Sequence, residues 1–172
     1  HTKQLENNMA ISTFDRECML EAVALAIEAE QSGNLPIGAV ITLEQEIIGR
    51  GRNAIWQPNR RLYRHAEIEA LKSIPEELLA QSKTMTLYTT LEPCLMCMGA
   101  ILLHGIGTVI YGASDPYGGA CPVADSLPPF FIDRLSKTKW IGPAFPTECD
   151  SLFTRIKSPE KMDGLDMDQK DL

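Results

Sequence analysis

The sequence lacks the features of a membrane or secreted protein. It contains no run of about 18 apolar residues, the length that a transmembrane helix needs. No cationic N-terminal segment leads into an apolar stretch, so no signal peptide is predicted. The cysteines are odd in number and do not have the spacing of a disulfide-stapled scaffold; they are Cys18, Cys94, Cys97, Cys121 and Cys149. We therefore expect a cytoplasmic protein with no membrane partner, where a Cys-x-x-Cys is more often metal-binding or catalytic than a disulfide.

Basic residues are too few for a default nucleic-acid binder. The chain has 16 Lys and Arg against 23 Asp and Glu, a net charge of −7, whereas nucleic-acid binding is driven by basic surface. Residues 160–172 alone carry a net charge of −3, so the rest of the chain is only mildly acidic. The net charge therefore argues against nucleic acid only weakly.

The chain also lacks internal repeats and an interdomain linker. Its 172 residues, 44% apolar and 23% charged, are enough for one folded domain and argue against intrinsic disorder and a fibrous role. We expect a single domain over residues 9–158. Residues 1–8 are interpreted as an expression remnant or frayed terminus, with Met9 a candidate native start, and residues 159–172 as an acidic, disordered tail.

Hydrophobic periodicity predicts alternating helices and strands. Helices are predicted for Asp15–Gln31, His65–Ser73, Cys94–His104, Phe130–Lys137 and Glu148–Ile156. Strands are predicted for Ile37–Leu43 and Glu46–Arg52, as a hairpin, and for Thr84–Thr90 and Thr108–Tyr111. Loops are predicted for residues 53–64 and 115–129. This order indicates an α/β sandwich with a mixed sheet.

Two short motifs carry most of the chemical information. The first is His65-Ala66-Glu67, and the second is Pro93-Cys94-Leu95-Met96-Cys97. One imidazole and two thiolates form a suitable ligand set for zinc. A structural zinc site has a fourth protein ligand, whereas a catalytic site leaves that position to water, so three ligands predict hydrolysis by zinc-bound water.

Local geometry supports this interpretation. Pro93 suits the first turn of a helix, and the spacing of Cys94 and Cys97 places both sulfurs on one helical face near its N-terminus, where thiolates are favoured. Two thiolates would balance the charge of Zn²⁺. Glu67 lies close to the metal but on a different side of its helix, so it can remain unligated and move protons between water and a leaving amine. Together the motifs match the signature of zinc nucleobase deaminases.

Several alternatives remain open from the residues alone. Cys94 and Cys97 could form a redox pair, or a structural zinc site closed by Cys121 or Cys149. His104 is interpreted as a helix C-terminal cap, and Cys18 and Cys149 as buried residues of the first and last helices.

The chain resembles the cytidine deaminase-like superfamily over roughly residues 14 to 157, and most closely its tRNA adenosine deaminase and guanine deaminase types. The matching segments are residues 35–40 (LPIGAV), 49–53 (GRGRN), 65–67 (HAE), 87–100 (LYTTLEPCLMCMGA), 111–113 (YGA), 148–149 (EC) and 152–153 (LF). The resemblance implies a three-layer α/β/α sandwich with a central mixed five-stranded sheet, one zinc ion per subunit and a homodimer.

The resemblance also implies roles for individual residues. His65, Cys94 and Cys97 would bind zinc and Glu67 would shuttle protons. Asn53 would hydrogen-bond the substrate base, although an asparagine after a strand is also a common turn residue. The backbone amide of Ala66 would lie beside the reacting carbon.

Two segments depart from the family pattern. Arg61-Leu62-Tyr63-Arg64 replaces the usual Asp-Pro-Thr-Ala before His65, and residues 116–121 (PYGGAC) replace the Lys-Thr-Gly-Ala run of tRNA-acting members. Both segments are expected at the mouth of the pocket, where Tyr63 or Tyr117 could stack on a purine. They favour a small base or nucleoside over tRNA.

An arginine cluster with no acidic residue in its span argues the other way. It consists of Arg50, Arg52, Arg60, Arg61 and Arg64. It could bind a phosphate, although such a cluster is more often a solvated loop face.

The sequence therefore predicts a hydrolase of carbon–nitrogen bonds. Zinc-bound hydroxide would attack the amine-bearing carbon of a nucleobase or nucleoside. Glu67 would take the proton of the water and deliver it to the ring nitrogen and the departing ammonia. The alternatives are a tRNA-specific adenosine-to-inosine deaminase and a zinc-stabilised binding module without catalysis.

Overall fold

A computed structural model describes residues 10 to 156, which form five α-helices, two 3₁₀ helices and five strands. The α-helices are α1 (Thr13–Gln31), α2 (Ala66–Lys72), α3 (Leu95–His104), α4 (Pro129–Ser136) and α5 (Pro146–Ile156). The strands are β1 (Gly38–Leu43), β2 (Glu46–Arg52), β3 (Thr86–Leu91), β4 (Thr108–Ala113) and β5 (Lys139–Ile141). The 3₁₀ helices cover Glu76–Thr84 and Cys121–Ser126. The predicted remnant, Met9 and the acidic tail lie outside the described residues.

The strands form one mixed five-stranded sheet in the order β2-β1-β3-β4-β5. The β1–β2 and β1–β3 pairs are antiparallel, and β3–β4 and β4–β5 are parallel. The predicted β1–β2 hairpin is confirmed, and its turn places Glu44 and Gln45 at positive φ, as a two-residue hairpin turn requires. Because β3 and β4 are parallel, the loops after both strands leave the same edge of the sheet, and this edge carries the candidate site.

Helices cover both faces of the sheet. Alternate residues of β2 show this, because Arg50 and Arg52 reach Glu21 and Glu28 of α1, whereas Gly51 between them faces α2. A Cβ atom on Gly51 would lie 2.1 Å from the carbonyl oxygen of Ala66, so only glycine allows α2 to pack this closely. The predicted three-layer α/β/α sandwich is confirmed.

Local sequence explains most element boundaries. Helix α1 begins two residues before its predicted start because Ser12 and Asp15 form a capping box, in which each side chain accepts a hydrogen bond from the other's backbone amide. Helix α3 ends at Gly105, which adopts the left-handed conformation. Inside the sandwich, Met19, Ile41, Tyr88 and Met98 are among the largest fully buried side chains.

The sequence-based assignment differs from the structure at four places. It missed strand β5 and the 3₁₀ helix Glu76–Thr84, and it predicted one loop where the second 3₁₀ helix forms. Pro93 does not lie in the first turn of α3, because Cys94 is the N-cap and Pro93 precedes it. No helix within residues 10 to 156 combines the length and hydropathy needed to cross a membrane.

Candidate metal and active site

Three predicted metal ligands lie at the N-terminal ends of two helices. His65 is the N-cap of α2, Cys94 is the N-cap of α3, and Cys97 occupies the first turn of α3. The short segment after β3 leads directly to Cys94, and the loop after β2 leads to His65. The order of the sheet therefore brings the two distant motifs together.

The donor atoms have the spacing that zinc requires. Nδ1 of His65 lies 3.5 Å from Sγ of Cys94 and 3.6 Å from Sγ of Cys97, and the three donor atoms all lie within 4.8 Å of one another. The usual Zn–N and Zn–S bond lengths in a tetrahedral site require an N···S separation of about 3.6 Å. The donor set fits a zinc ion.

The thiols of Cys94 and Cys97 share a hydrogen bond, which shifts their pKa values in opposite directions. This bond lowers the pKa of Cys94 to about 4 against the opposing effect of burial, and His65 lowers it further. The same bond and burial raise the pKa of Cys97. For His65 burial lowers the pKa, but the hydrogen bond and charge of Cys94 outweigh it, so the net pKa is raised. The cluster therefore holds protons that a cation would displace on binding.

Glu67 is buried beside this cluster. Its side chain is only 3% exposed, its Oε2 accepts a hydrogen bond from Cys97 over 3.3 Å, and its Oε1 accepts one from Thr89 over 2.9 Å. Burial raises the pKa of Glu67, against the opposing charge of His65. A carboxyl group with a raised pKa holds a proton at a pH at which an exposed glutamate has lost it, which suits a group that moves protons.

A cavity of about 430 Å³ opens onto the cluster. Its lining residues are Leu35, Ile37, His65, Glu67, Leu91, Glu92, Cys94, Asp115, Tyr117, Gly118, Phe153 and Ile156. Apolar side chains form one part of the wall and carboxylates another, and the volume lies in the range of small-molecule sites.

Of the four residues predicted to contact the substrate, one lines this cavity. Tyr117 lines it and is 85% exposed, whereas Asn53, Tyr63 and the buried Ala66 are not among its lining residues. Asn53 has features of both of its interpretations. Its Oδ1 accepts from the backbone amides of Leu35 and Ile55, as a turn residue does, while its buried Nδ2 has no hydrogen-bond partner within residues 10 to 156.

Three of the five arginines of the cluster form ion pairs, two of them with residues that are distant in the sequence. Arg50 and Arg52 pair with acids of α1, and Arg64 pairs with Glu69 of α2 over 3.0 Å. These three arginines line a groove of about 710 Å³ that shares no lining residue with the cavity. Less positive charge is available for a phosphate than the sequence suggests, and the phosphate hypothesis stays a prediction.

The remaining cysteines and His104 lie outside the metal-binding group. Within residues 10 to 156 that group consists of His65, Cys94 and Cys97, so neither Cys121 nor Cys149 joins it. Cys18 and Cys149 are buried, as predicted. Nδ1 of His104 lies 2.8 Å from the carbonyl oxygen of Ala100, which agrees with its predicted capping role.

Sequence reasoning missed several residues of this site. Thr89 orients Glu67, Glu92 lies in the cavity wall, and Phe153 comes from the last described helix. Thr89 is fully buried in β3, but the neighbouring Thr90 is buried as well, so the sequence alone does not single out Thr89. The cavity walls come from distant segments and leave no local pattern.

Comparison with known proteins decides the family. A model of the MafB19-like deaminases matches residues 14–143. The chain belongs to the MafB19-like deaminase family. Its predicted relation to the cytidine deaminase-like superfamily is confirmed, and the homologues indicate an enzyme that hydrolyses carbon–nitrogen bonds.

Individual relatives have two kinds of substrate in their names. The tRNA-specific adenosine deaminase of Bacillus subtilis is 42% identical over 111 residues, which cover 62% of this chain and 66% of that protein. The chain thus spans about two thirds of that relative. A structure from work on A-to-I editing by tRNA:A34 deaminases aligns with a TM-score of 0.64 and 30% identity, covering 80% of this chain and 99% of the other. The guanine deaminase of Bacillus subtilis aligns with a TM-score of 0.51 and 34% identity, covering 58% and 64% of the two chains.

Proposed function

We propose that this member of the deaminase family is a zinc-dependent enzyme that converts the exocyclic amine of a nucleobase or nucleoside to a carbonyl and releases ammonia. The observation that supports this proposal is that His65, Cys94 and the buried Glu67 line one cavity and that Cys97 contacts both His65 and Glu67. A redox pair would not require His65 or Glu67, and a closed structural zinc site would require a fourth ligand.

His65, Cys94 and Cys97 would hold one zinc ion per chain, which when bound supplies a water that is deprotonated near neutral pH. Glu67 takes a proton from the attacking water while a bond forms between the water oxygen and the amine-bearing carbon, and it delivers this proton to the ring nitrogen, which receives the electron pair of the broken ring C=N π bond. The same carboxyl group then moves the remaining hydroxyl proton to the departing amine, so that the bond to the exocyclic nitrogen breaks, the carbonyl forms and ammonia leaves. Thr89 keeps Glu67 in place through its hydrogen bond to Oε1.

Three further residues, Asn53, Ala66 and Tyr117, would contact the substrate. The unpaired Nδ2 of Asn53 is a donor available to an acceptor of the base, and the Ala66 backbone amide lies next to His65 in the chain. The ring of Tyr117 lies at the cavity wall, where it could stack on a heterocycle.

The test of this function is a screen for ammonia release. Purified protein with measured zinc content is incubated with free bases, nucleosides and a tRNA anticodon stem-loop. Turnover of a free base or nucleoside supports the proposal, and loss of that turnover after chelation supports zinc dependence. A zinc-loaded protein that releases no ammonia from any of these compounds contradicts the proposal.

A second candidate is a tRNA-specific adenosine deaminase. It is favoured by the Bacillus subtilis relative and by the tRNA:A34 deaminase structure, which this chain covers over 99% of its length. The residues at positions 116–121, which replace the Lys-Thr-Gly-Ala run, and the pairing of three arginines count against it. Deamination of the stem-loop without activity on free compounds would establish this candidate instead.

We expect Tyr117→Ala to weaken substrate binding by about 1 to 3 kcal/mol, the range measured for base–aromatic stacking, and to raise KM about tenfold. The corresponding Tyr63→Ala variant tests the other predicted aromatic contact, which lies outside the cavity lining. The measurement is steady-state kinetics on the substrate found in the screen. Unchanged KM and kcat in both variants would refute aromatic stacking.

We also propose that the chain forms a homodimer through α3. Three large apolar side chains of this helix are exposed, namely Leu95, Met96 and Leu103, at 59%, 40% and 58%. Exposed apolar side chains grouped on one element are typical of an interaction surface.

Leu103→Glu should convert the dimer to a monomer, because a carboxylate would be buried without a partner. The molar mass in solution, measured by light scattering after gel filtration, checks this expectation. Leu20→Glu on α1 is the matched control, since Leu20 is 49% exposed. A monomeric parent protein, or equal dissociation by both variants, would contradict the proposal.

A further inference from the structure

Glu92 has no role in the proposed chemistry, although it is only 7% exposed and lies two residues before Cys94. Its backbone amide donates to the carbonyl of Ala113 at the end of β4 over 2.8 Å. Its side chain reaches the loop that follows β4, residues 115–121, which we call the mouth loop. This loop holds the residues that depart from the family pattern.

The carboxylate of Glu92 contacts the mouth loop near its C-terminal end. The backbone amide of Cys121 donates to Oε2 over 3.4 Å. Gly119 lies directly beside the carboxylate, since a Cβ atom on this residue would be 1.7 Å from Oε2. A buried carboxylate that accepts a backbone hydrogen bond and packs directly against a neighbouring glycine restrains the segment that makes both contacts.

The backbone of the mouth loop also pairs with the segment that carries Cys94. Gly119 and Cys94 form an isolated antiparallel bridge, and the amide of Ala120 donates to the carbonyl of Pro93 over 3.0 Å. At the tip, Oδ1 of Asp115 accepts from the backbone amides of Tyr117 and Gly118, both over 3.0 Å. Tyr117 and Gly118 then line the cavity.

We propose that Glu92 is a positioning residue that holds the mouth loop closed against the metal-ligand segment and thereby sets the affinity of the cavity for its substrate. The effect on substrate affinity rests on the proposed function. The anchoring of the loop by Glu92 rests only on the contacts described above. Glu92 acts through the loop and through Tyr117, so it is expected to affect binding more than the chemical step.

Amide hydrogen exchange tests the structural part without any substrate. In Glu92→Ala, exchange should become faster in residues 115–121 and stay unchanged in β3 and β4, because only the loop loses its anchor. Glu92→Gln keeps a side-chain acceptor and should restore much of the protection. Gly119→Ala should reproduce the effect by a different route, since the added methyl group cannot coexist with the carboxylate. Gly99→Ala is the control, because a Cβ atom there meets no atom within 4 Å.

Kinetics and metal content test the functional part. With zinc content equal to that of the parent protein, Glu92→Ala and Gly119→Ala should raise KM about tenfold, as expected for loss of one stacking ring, and change kcat much less. Unchanged exchange in the mouth loop would overturn the anchoring role. Faster exchange with unchanged KM would overturn the role of Glu92 in substrate affinity. Loss of zinc from the variants would show that Glu92 supports the metal site and would overturn its assignment as an anchor of the mouth loop. If no substrate is found, the proposed function fails while the exchange result still decides the anchoring role.

Discussion

Replacing Glu67 by glutamine should abolish turnover while leaving zinc bound. Glutamine keeps the size of the side chain and its hydrogen bond from Thr89, but it cannot take up and release the proton that the reaction moves. General acid–base catalysis contributes about 10² to 10⁴-fold to rate, so kcat should fall by about that factor. The measurement is ammonia release by the variant, together with its zinc content.

Glu69→Gln provides the matched control for this prediction. Glu69 lies on the same helix, but its partly buried carboxylate pairs with Arg64 and Lys72 and does not line the cavity. The control should retain activity within a few-fold of the parent protein, because Glu69 has no contact with the cavity. A Glu67→Gln variant that keeps full activity with zinc bound would refute the proposed proton transfer. It would also reopen the interpretation of the site as a binding module.

Replacing Cys97 by serine should remove the metal and the activity together. A serine hydroxyl is a much poorer zinc ligand than a thiolate, and Cys97 is completely buried between His65 and Glu67. Even mutations of residues that only support zinc ligands cost about 10 to 100-fold in metal affinity, so loss of a ligand should cost more than about 100-fold. Metal analysis after dialysis and the ammonia assay measure the two effects.

Cys121→Ser is the control for general effects of cysteine replacement. Cys121 is half-buried and close to the site, but it lies outside the metal-binding group. Its contact with Glu92 through the backbone amide does not depend on the sulfur. The control should keep one zinc ion per chain. If Cys97→Ser also kept its zinc and activity, the ligand assignment would be wrong.

The candidate ligands and Glu67 could be named from the sequence, although the residues that surround them could not. The spacing of Cys94 and Cys97 and the His-x-Glu pattern are local features, so short-range geometry was enough to name the candidate ligands and Glu67. The donor distances of 3.5 and 3.6 Å agree with that prediction. Helix α1 and the β1–β2 hairpin were predicted for the same reason, since their apolar periodicity lies within single segments.

Features that depend on pairing between distant segments could not be predicted. Strand β5 has only three residues, too few for a periodic signal, and it is held by its parallel register with β4. The arginine cluster looked unpaired because its partners Glu21 and Glu28 belong to α1, which the fold brings across the sheet. An ion pair of this kind has no signature in the spacing of its residues.

By itself, the sequence determined the α/β order of elements and named the candidate groups of the site, namely three zinc-type donors and the proposed acid–base residue. The tertiary structure decided which other residues surround those groups. Leu35 and Phe153 line one cavity, Thr89 bonds to Glu67, and Glu92 anchors the mouth loop, because the sheet order aligns strand ends from distant parts of the chain. Donor chemistry is a property of residue type and local spacing, whereas the shape of a cavity depends on long-range packing.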